Sequence, residues 1–152
     1  MELDGGSVLE QWTTRDAAEL YGVPNWGHGH FAISAEGDVT VNLRVLARNG
    51  EGALKPVSLY QIARGLRARG MALPVLLRFG DLLDASIADI NHSFSQSIEK
   101  HSYQGRYRGV YPIKVNQQQQ VVEDVVAFGR RFHYGLECGS KAEMVAALAY
   151  TN

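Results

Sequence analysis

The residue types that could do chemistry gather in the last third of the chain. Lys114 lies within Val110-Tyr111-Pro112-Ile113-Lys114-Val115-Asn116-Gln117, in the second half of a short apolar run and directly before a polar turn. A lysine amine taken out of water without a partner either costs several kcal/mol, as an order of magnitude, or loses its proton. A neutral, desolvated lysine is a nucleophile toward aldehydes, which is the chemistry of Schiff-base lysines. The same spacing also suits a plainer role, a strand-end lysine whose stem follows the apolar surface while its amine reaches water. Glu137, in Tyr134-Gly135-Leu136-Glu137-Cys138, is the second candidate. Strand side chains alternate faces, so Lys114 shares a face with Val110 and Pro112, and Glu137 shares one with Gly135. The bulkier sets, Tyr111 with Ile113 and Val115, and Tyr134 with Leu136 and Cys138, should meet the helices. Lys114 and Glu137 would then both face a barrel interior at C-terminal strand ends, where parallel β/α folds carry their chemistry. Neighbouring strands lie about 4.8 Å apart, so the two could share a ligand. A buried ion pair with a purely structural role fits the same pattern.

Other polar residues give weaker signals. Arg78 ends an apolar run and could join the same rim or simply reach solvent. His28 and His30 alternate on a loop with no acidic or cysteine neighbour, which suits loop hydrogen bonding better than a metal. Cys138 has no partner at metal or redox spacing and reads as a small buried hydrophobe. No Walker loop, GxSxG elbow or HExxH sequence is present.

Composition narrows the class. The 152 residues are 45% hydrophobic and 20% charged, with a net charge of -1, ordinary values for a globular domain with a real core. No basic excess points to nucleic acid and no polybasic stretch to a membrane surface. No apolar run approaches the roughly 18 residues of a membrane helix. Met1-Glu2-Leu3-Asp4-Gly5-Gly6 lacks the basic start and apolar core of a signal peptide, and a single cysteine excludes an internal disulfide framework. The cytoplasm is the expected compartment.

The elements that must position Lys114 and Glu137 follow from pattern. Thr13 to Asp16 resembles a capping box before a short helix that Gly22 and Pro24 close. Phe31 to Ser34 and Val39 to Leu43 flank Ala35-Glu36-Gly37-Asp38, which predicts a hairpin. Residues 47 to 56, with Asn49, Gly50, Gly52 and Pro56, read as a linker. Ser58 to Arg69 reads as a helix ended by Gly70, and Leu73 to Phe79 as a strand. Asp81 begins a long helix whose Leu83, Ile87, Ile90, Phe94 and Ile98 form one stripe. A strand over Val110 to Val115, a helix carrying Val121, Val122, Val125, Val126 and Phe128, and a strand over Tyr134 to Cys138 come next. Ser140 to Glu143 reads as a capping box on the last helix, with Met144, Val145 and Leu148 on its inner side. Pro112 resists this scheme, because it cannot donate to a ladder. Strand–helix alternation argues for parallel β/α units, but three such units cannot close a barrel. The expected architecture is therefore α/β, the front part of a larger (β/α)8 barrel. Residues 1–57 would form a helix and hairpin segment with its linker, and residues 58–152 about three β/α units.

Tyr111-Pro112-Ile113-Lys114-Val115-Asn116-Gln117, together with Gly135-Leu136-Glu137-Cys138-Gly139-Ser140-Lys141-Ala142-Glu143, closely resembles the biosynthetic arginine decarboxylases, pyridoxal-phosphate enzymes of the alanine racemase-like fold. Trp26-Gly27 with His30-Phe31, and Leu73 to Phe79, fit the same family's N-terminal region. The resemblance runs from about Tyr21 to Asn152. It implies that Lys114 is the residue that forms a Schiff base with pyridoxal phosphate and that Glu137 is a cofactor-site rim residue. The implied reaction takes L-arginine to agmatine and carbon dioxide in polyamine and spermidine biosynthesis, in a cytoplasmic homo-oligomer associated with magnesium. Cys138 departs from the small residue usual there, and Gln118 to Gln120 are atypical. Family members are several times longer. The further barrel strands, the glycine-rich phosphate cradle, the acid that holds the pyridine nitrogen, the β-domain and the partner-subunit residues are missing from this sequence. The chain alone is expected to be inactive. A decarboxylase for ornithine, lysine or diaminopimelate, a non-catalytic pyridoxal-phosphate carrier, and an interaction domain with a structural Lys114 are the competing readings.

Overall fold

The computed structural model describes residues 11–46 and 52–150. They form two compact units, one ending at Leu77 and the other beginning at Arg78.

The first unit opens with α1 (Thr14–Leu20), and the capping box is present as the spacing predicts. The Thr13 hydroxyl accepts from the Asp16 N–H, and the Asp16 carboxylate accepts from the Thr13 N–H. Gly22, at φ 63, turns the chain. Pro24 does not close α1; it falls in the first turn of α2 (Val23–Trp26), where the helix needs no N–H from it. The predicted hairpin is formed by β1 (Phe31–Ile33) and β2 (Val39–Leu46), with Phe31 opposite Val41. Val41 is fully buried.

Of the expected linker, the described residues 52–56 are strand. β3 (Gly52–Ser58) pairs antiparallel with β2 from Thr40–Ser58 to Leu46–Gly52. Pro56 is tolerated there for a geometric reason. Its partner across the ladder is Asn42, whose N–H donates to the His30 carbonyl at 2.8 Å, on the β1 side. In an antiparallel ladder Asn42 and Pro56 are then a non-hydrogen-bonded pair, so the proline nitrogen faces the outer edge and no rung is lost. Asn49 and Gly50, the other half of the linker reading, lie outside the described residues.

Ser58 both ends β3 and caps α3 (Leu59–Ala68). Its hydroxyl accepts from the Gln61 N–H at 3.0 Å and donates to the Asp38 carboxylate at 2.6 Å. Gly70, at φ 81, follows the helix end. Because α3 packs on β2 and β3, the compact unit runs on past residue 57 to Leu77. The strand expected over Leu73 to Phe79 does not form. A strand exists through rungs to a neighbour, and among the described residues none pairs with this run, which leaves Leu76 75% exposed.

The second unit begins with α4 (Gly80–Lys100). Of its predicted stripe, Ile87 is buried, while Ile90 and Phe94 stay open and Phe94 stacks on Tyr107 at 4.0 Å and 3°. Asn91 is buried beside Ile87 and bonds its own helix, Nδ2 donating to the Ile87 carbonyl at 2.7 Å. α4 packs against α5 (Gln119–Gly129), and Arg131 pairs with Asp84. β4 (Val110–Pro112) and β5 (Gly135–Glu137) are parallel neighbours, in the register Val110–Gly135, Tyr111–Leu136, Pro112–Glu137. Ile87, Ile113, Val122, Val125 and Ala147 form the core of this unit. Tyr134 leads into β5 over two glycines. A Cβ on Gly109 would lie 2.0 Å from its ring, and one on Gly129 2.6 Å from its Cβ.

Two expectations fail in this unit. The strand predicted over residues 110 to 115 stops at Pro112, and Ile113–Val115 form a 3-10 turn. Continuing the ladder would need Gly139, whose N–H is already committed to the Glu143 carboxylate at 2.7 Å. On α6 (Lys141–Leu148) the inward residue is Ala147, whereas Met144, Val145 and Leu148 are exposed. The helix contacts the 3-10 turn, and its buried residue is small rather than one of its bulky stripe.

Candidate functional site

The parallel pair and the turns that follow it place both candidate residues. β4 delivers the chain to the 3-10 turn, and Ile113, 3% exposed, anchors that turn in the core. Lys114 follows with its side chain exposed. Strand alternation no longer governs its direction, so the shared face expected for Val110, Pro112 and Lys114 is not a strand face. Val115, expected against the helices, is exposed as well. Glu137 closes β5 directly across from Pro112 and is half-buried. The ladder therefore brings the two candidates to the same end of neighbouring parallel strands, one on a turn and one on a strand.

The backbone around Lys114 is tied on both sides. The Tyr111 hydroxyl donates to the Asn116 carbonyl at 3.2 Å. The Asn116 side-chain oxygen accepts from the Gln118 N–H at 3.0 Å, and Gln118 is the N-cap of α5. Tyr111 had been grouped with the helix-facing apolar residues; the use of its hydroxyl is the feature that face alternation misses. A tyrosine rather than a phenylalanine in that run, five residues before an Asn that precedes a helix, is the signal that could have found it.

Beyond Glu137 the chain turns through Gly139 into α6. The Ser140 hydroxyl accepts from the Glu143 N–H at 3.2 Å, one half of the predicted capping box. The Glu143 carboxylate reaches Gly139 instead of the cap residue itself. Nearby, burial first and Tyr107 second hold the Tyr134 hydroxyl protonated beyond its ordinary value of 10.0. Arg78 is exposed, Cys138 is half-buried, and His28 and His30 sit on the turn before β1 in the other unit. Among the described residues there is no group of three or more His, Cys, Asp or Glu that could hold a metal ion. No helix among them is long and apolar enough to cross a membrane.

No protein-family model matches the sequence. Individual proteins do. The chain is 45% identical over 141 residues to the biosynthetic arginine decarboxylase of Gloeobacter violaceus, covering 93% of this chain and 21% of that protein. It is 45% identical over 139 residues to biosynthetic arginine decarboxylase 1 of a Synechocystis strain, covering 91% of this chain and 19% of the relative. Among solved structures, the biosynthetic arginine decarboxylase SpeA from Campylobacter jejuni superimposes with a TM-score of 0.76 at 36% identity, over 87% of this chain and 21% of that one. The chain thus spans about a fifth of the length of the curated relatives it matches. By sequence and by mixed α/β fold alike, the chain is similar to one portion of the biosynthetic arginine decarboxylases.

Proposed function

We propose that this chain contributes the lysine-bearing part of a pyridoxal-phosphate-dependent decarboxylase that converts L-arginine to agmatine and carbon dioxide for polyamine biosynthesis. The observation that carries the reading is the 45% identity to a biosynthetic arginine decarboxylase across nearly the whole chain. The local geometry supports it, because the donor chemistry fits the cofactor. Lys114 offers an accessible primary amine, fixed by a buried neighbour and a tied turn, to an aldehyde. Glu137 offers an acceptor at the adjacent strand end. When bound, pyridoxal phosphate supplies an electron sink for the bond that releases carbon dioxide.

In this reading Lys114 Nζ would hold the cofactor through its aldehyde group and would serve as the base of the site. The overall change is loss of the substrate carboxylate as carbon dioxide with one proton taking its place, which gives agmatine. Glu137 orients a donor group on the cofactor or the substrate. The β4–α5–β5 unit belongs, on the same reading, to a (β/α)8 barrel in which residues 58–152 supply the first units and residues 1–57 a preceding segment. Helix α3 packs on β2 and β3. A cytoplasmic homo-oligomer is part of the proposal. The relatives' names favour arginine over ornithine, lysine or diaminopimelate.

The test is made in the protein as encoded, supplied with pyridoxal phosphate and L-arginine. Lys114→Ala should abolish the absorbance band of the bound cofactor and agmatine release together. An active Lys114→Ala protein with an unchanged band would end the assignment.

A further inference from the structure

We infer that Tyr111 is a positioning residue for Lys114, acting through its hydroxyl on the turn that carries the amine; this rests on the function proposed above. Lys114 sits outside any ladder, so β-sheet rungs do not fix it. Three other restraints do. Ile113 before it is buried. Asn116 after it turns the chain into α5 by accepting from the Gln118 N–H. The Tyr111 hydroxyl then spans the turn and holds the Asn116 carbonyl at 3.2 Å. Tyr111 itself is fixed on β4, in register with Leu136 of β5. The hydroxyl therefore ties the residues following Lys114 back to the strand preceding it. A reacting amine must be held within a fraction of an ångström of its target, and errors of about 1 Å can cost on the order of a hundredfold in rate. Without that tie, only Ile113 and the Asn116 side chain restrain the turn.

The decisive variant is Tyr111→Phe, which keeps the ring and removes only the hydroxyl. It is compared with the unaltered protein and with Lys114→Ala, all as encoded. Each protein is mixed with pyridoxal phosphate, reduced with borohydride and mapped by mass spectrometry for the trapped lysine. Amide hydrogen exchange is followed over residues 113–118 and 135–137, and arginine turnover is measured alongside. In Tyr111→Phe, exchange over 113–118 should quicken about tenfold while 135–137 keep their protection. Trapping at Lys114 should slow about tenfold, and kcat should fall by a similar factor with KM changed less than about twofold. Unaltered exchange and trapping in Tyr111→Phe would overturn the inference. So would a Tyr111→Phe protein that fails to fold, because a positioning role requires the fold to survive. A Lys114→Ala protein that still traps cofactor at its usual lysine would sink the proposed function instead, so the two failures are distinguishable.

Discussion

The two sheets of this chain are held in different ways. In the first unit β2 is paired along one side with β1 and along the other with β3, and the β2–β3 ladder runs unbroken from Thr40 to Leu46. In the second unit β4 and β5 meet at three residue pairs, and α5 lies in the connection between them. Antiparallel neighbours joined by short turns can form locally; a parallel pair waits for its crossover and is ordinarily covered on both faces. The candidate chemistry sits on the second kind. Its precision is supplied less by the ladder than by side chains, namely Ile113 in the core and the Tyr111 and Asn116 hydrogen bonds. A lysine on a short sheet needs such ties, whereas the longer sheet carries none of the candidate residues.

Several perturbations would break or sharpen that contrast. The largest effect is expected at Lys114 itself, where Lys114→Ala in the protein as encoded should lower arginine turnover roughly a thousandfold or more, measured as carbon dioxide release. The 152-residue chain on its own should release none, because it spans about a fifth of its relatives and exposes Met144, Val145 and Leu148. A soluble, sharply melting monomer with Lys114-dependent agmatine formation would refute this.

Next come the two cores. Val122→Ala removes a side chain 1% exposed, and Val41→Ala one that is 0% exposed. Each should cost about 2 kcal/mol in denaturant titration. The contrast is in where the loss appears. Exchange protection at 110–112 and 135–137 should fall with Val122→Ala, and that at 39–46 with Val41→Ala. Equal losses in both sheets from either change would mean the units unfold together. Ser58→Ala is a smaller change. It removes both the α3 cap and the bond to Asp38, and should cost about 1 kcal/mol, again confined to the first unit.

The smallest effect is a pH response. The Thr13 hydroxyl, then the Thr13 N–H, hold the Asp16 carboxyl below its ordinary value of 3.8. A carboxyl depressed on folding stabilises above its unfolded pKa, and that contribution is lost as pH falls through the folded value. Amide protection in α1, taken relative to the intrinsic exchange rate at each pH, should therefore fall as the solution is acidified below about 3.8. Thr13→Ala should flatten that dependence by removing the hydroxyl's share.

How much of this was legible in the sequence depends on range. Local chemistry was readable. The Thr13–Asp16 and Ser140 caps, the glycine after α3, the hairpin around Gly37 and the long α4 all follow from residues within a few positions of one another. Features set by a distant partner were not. The strand over 73–79 had the right composition and no ladder, while residues 52–56 had turn composition and gained one from β2. Glu137 ends β5 opposite Pro112, whereas Lys114 lies two residues beyond β4 on a 3-10 turn. Face alternation therefore does not set the direction of Lys114, because the strand it assumes stops where Gly139 could not continue it. Met144, Val145 and Leu148 show the same limit: spacing marks a stripe, but Ala147 is the residue of that helix that is buried.

Pro56 has a consequence of its own. A sheet's outer strand is a template on which any passing extended segment can lengthen the array. At β3 that template is defective at the position opposite Asn42, where the outward-facing nitrogen has no hydrogen to offer, and Lys55 adds a charge beside it. An incoming strand would lose a rung and meet a cation at the same point. The three-stranded array is thereby discouraged from recruiting a fourth strand on that side.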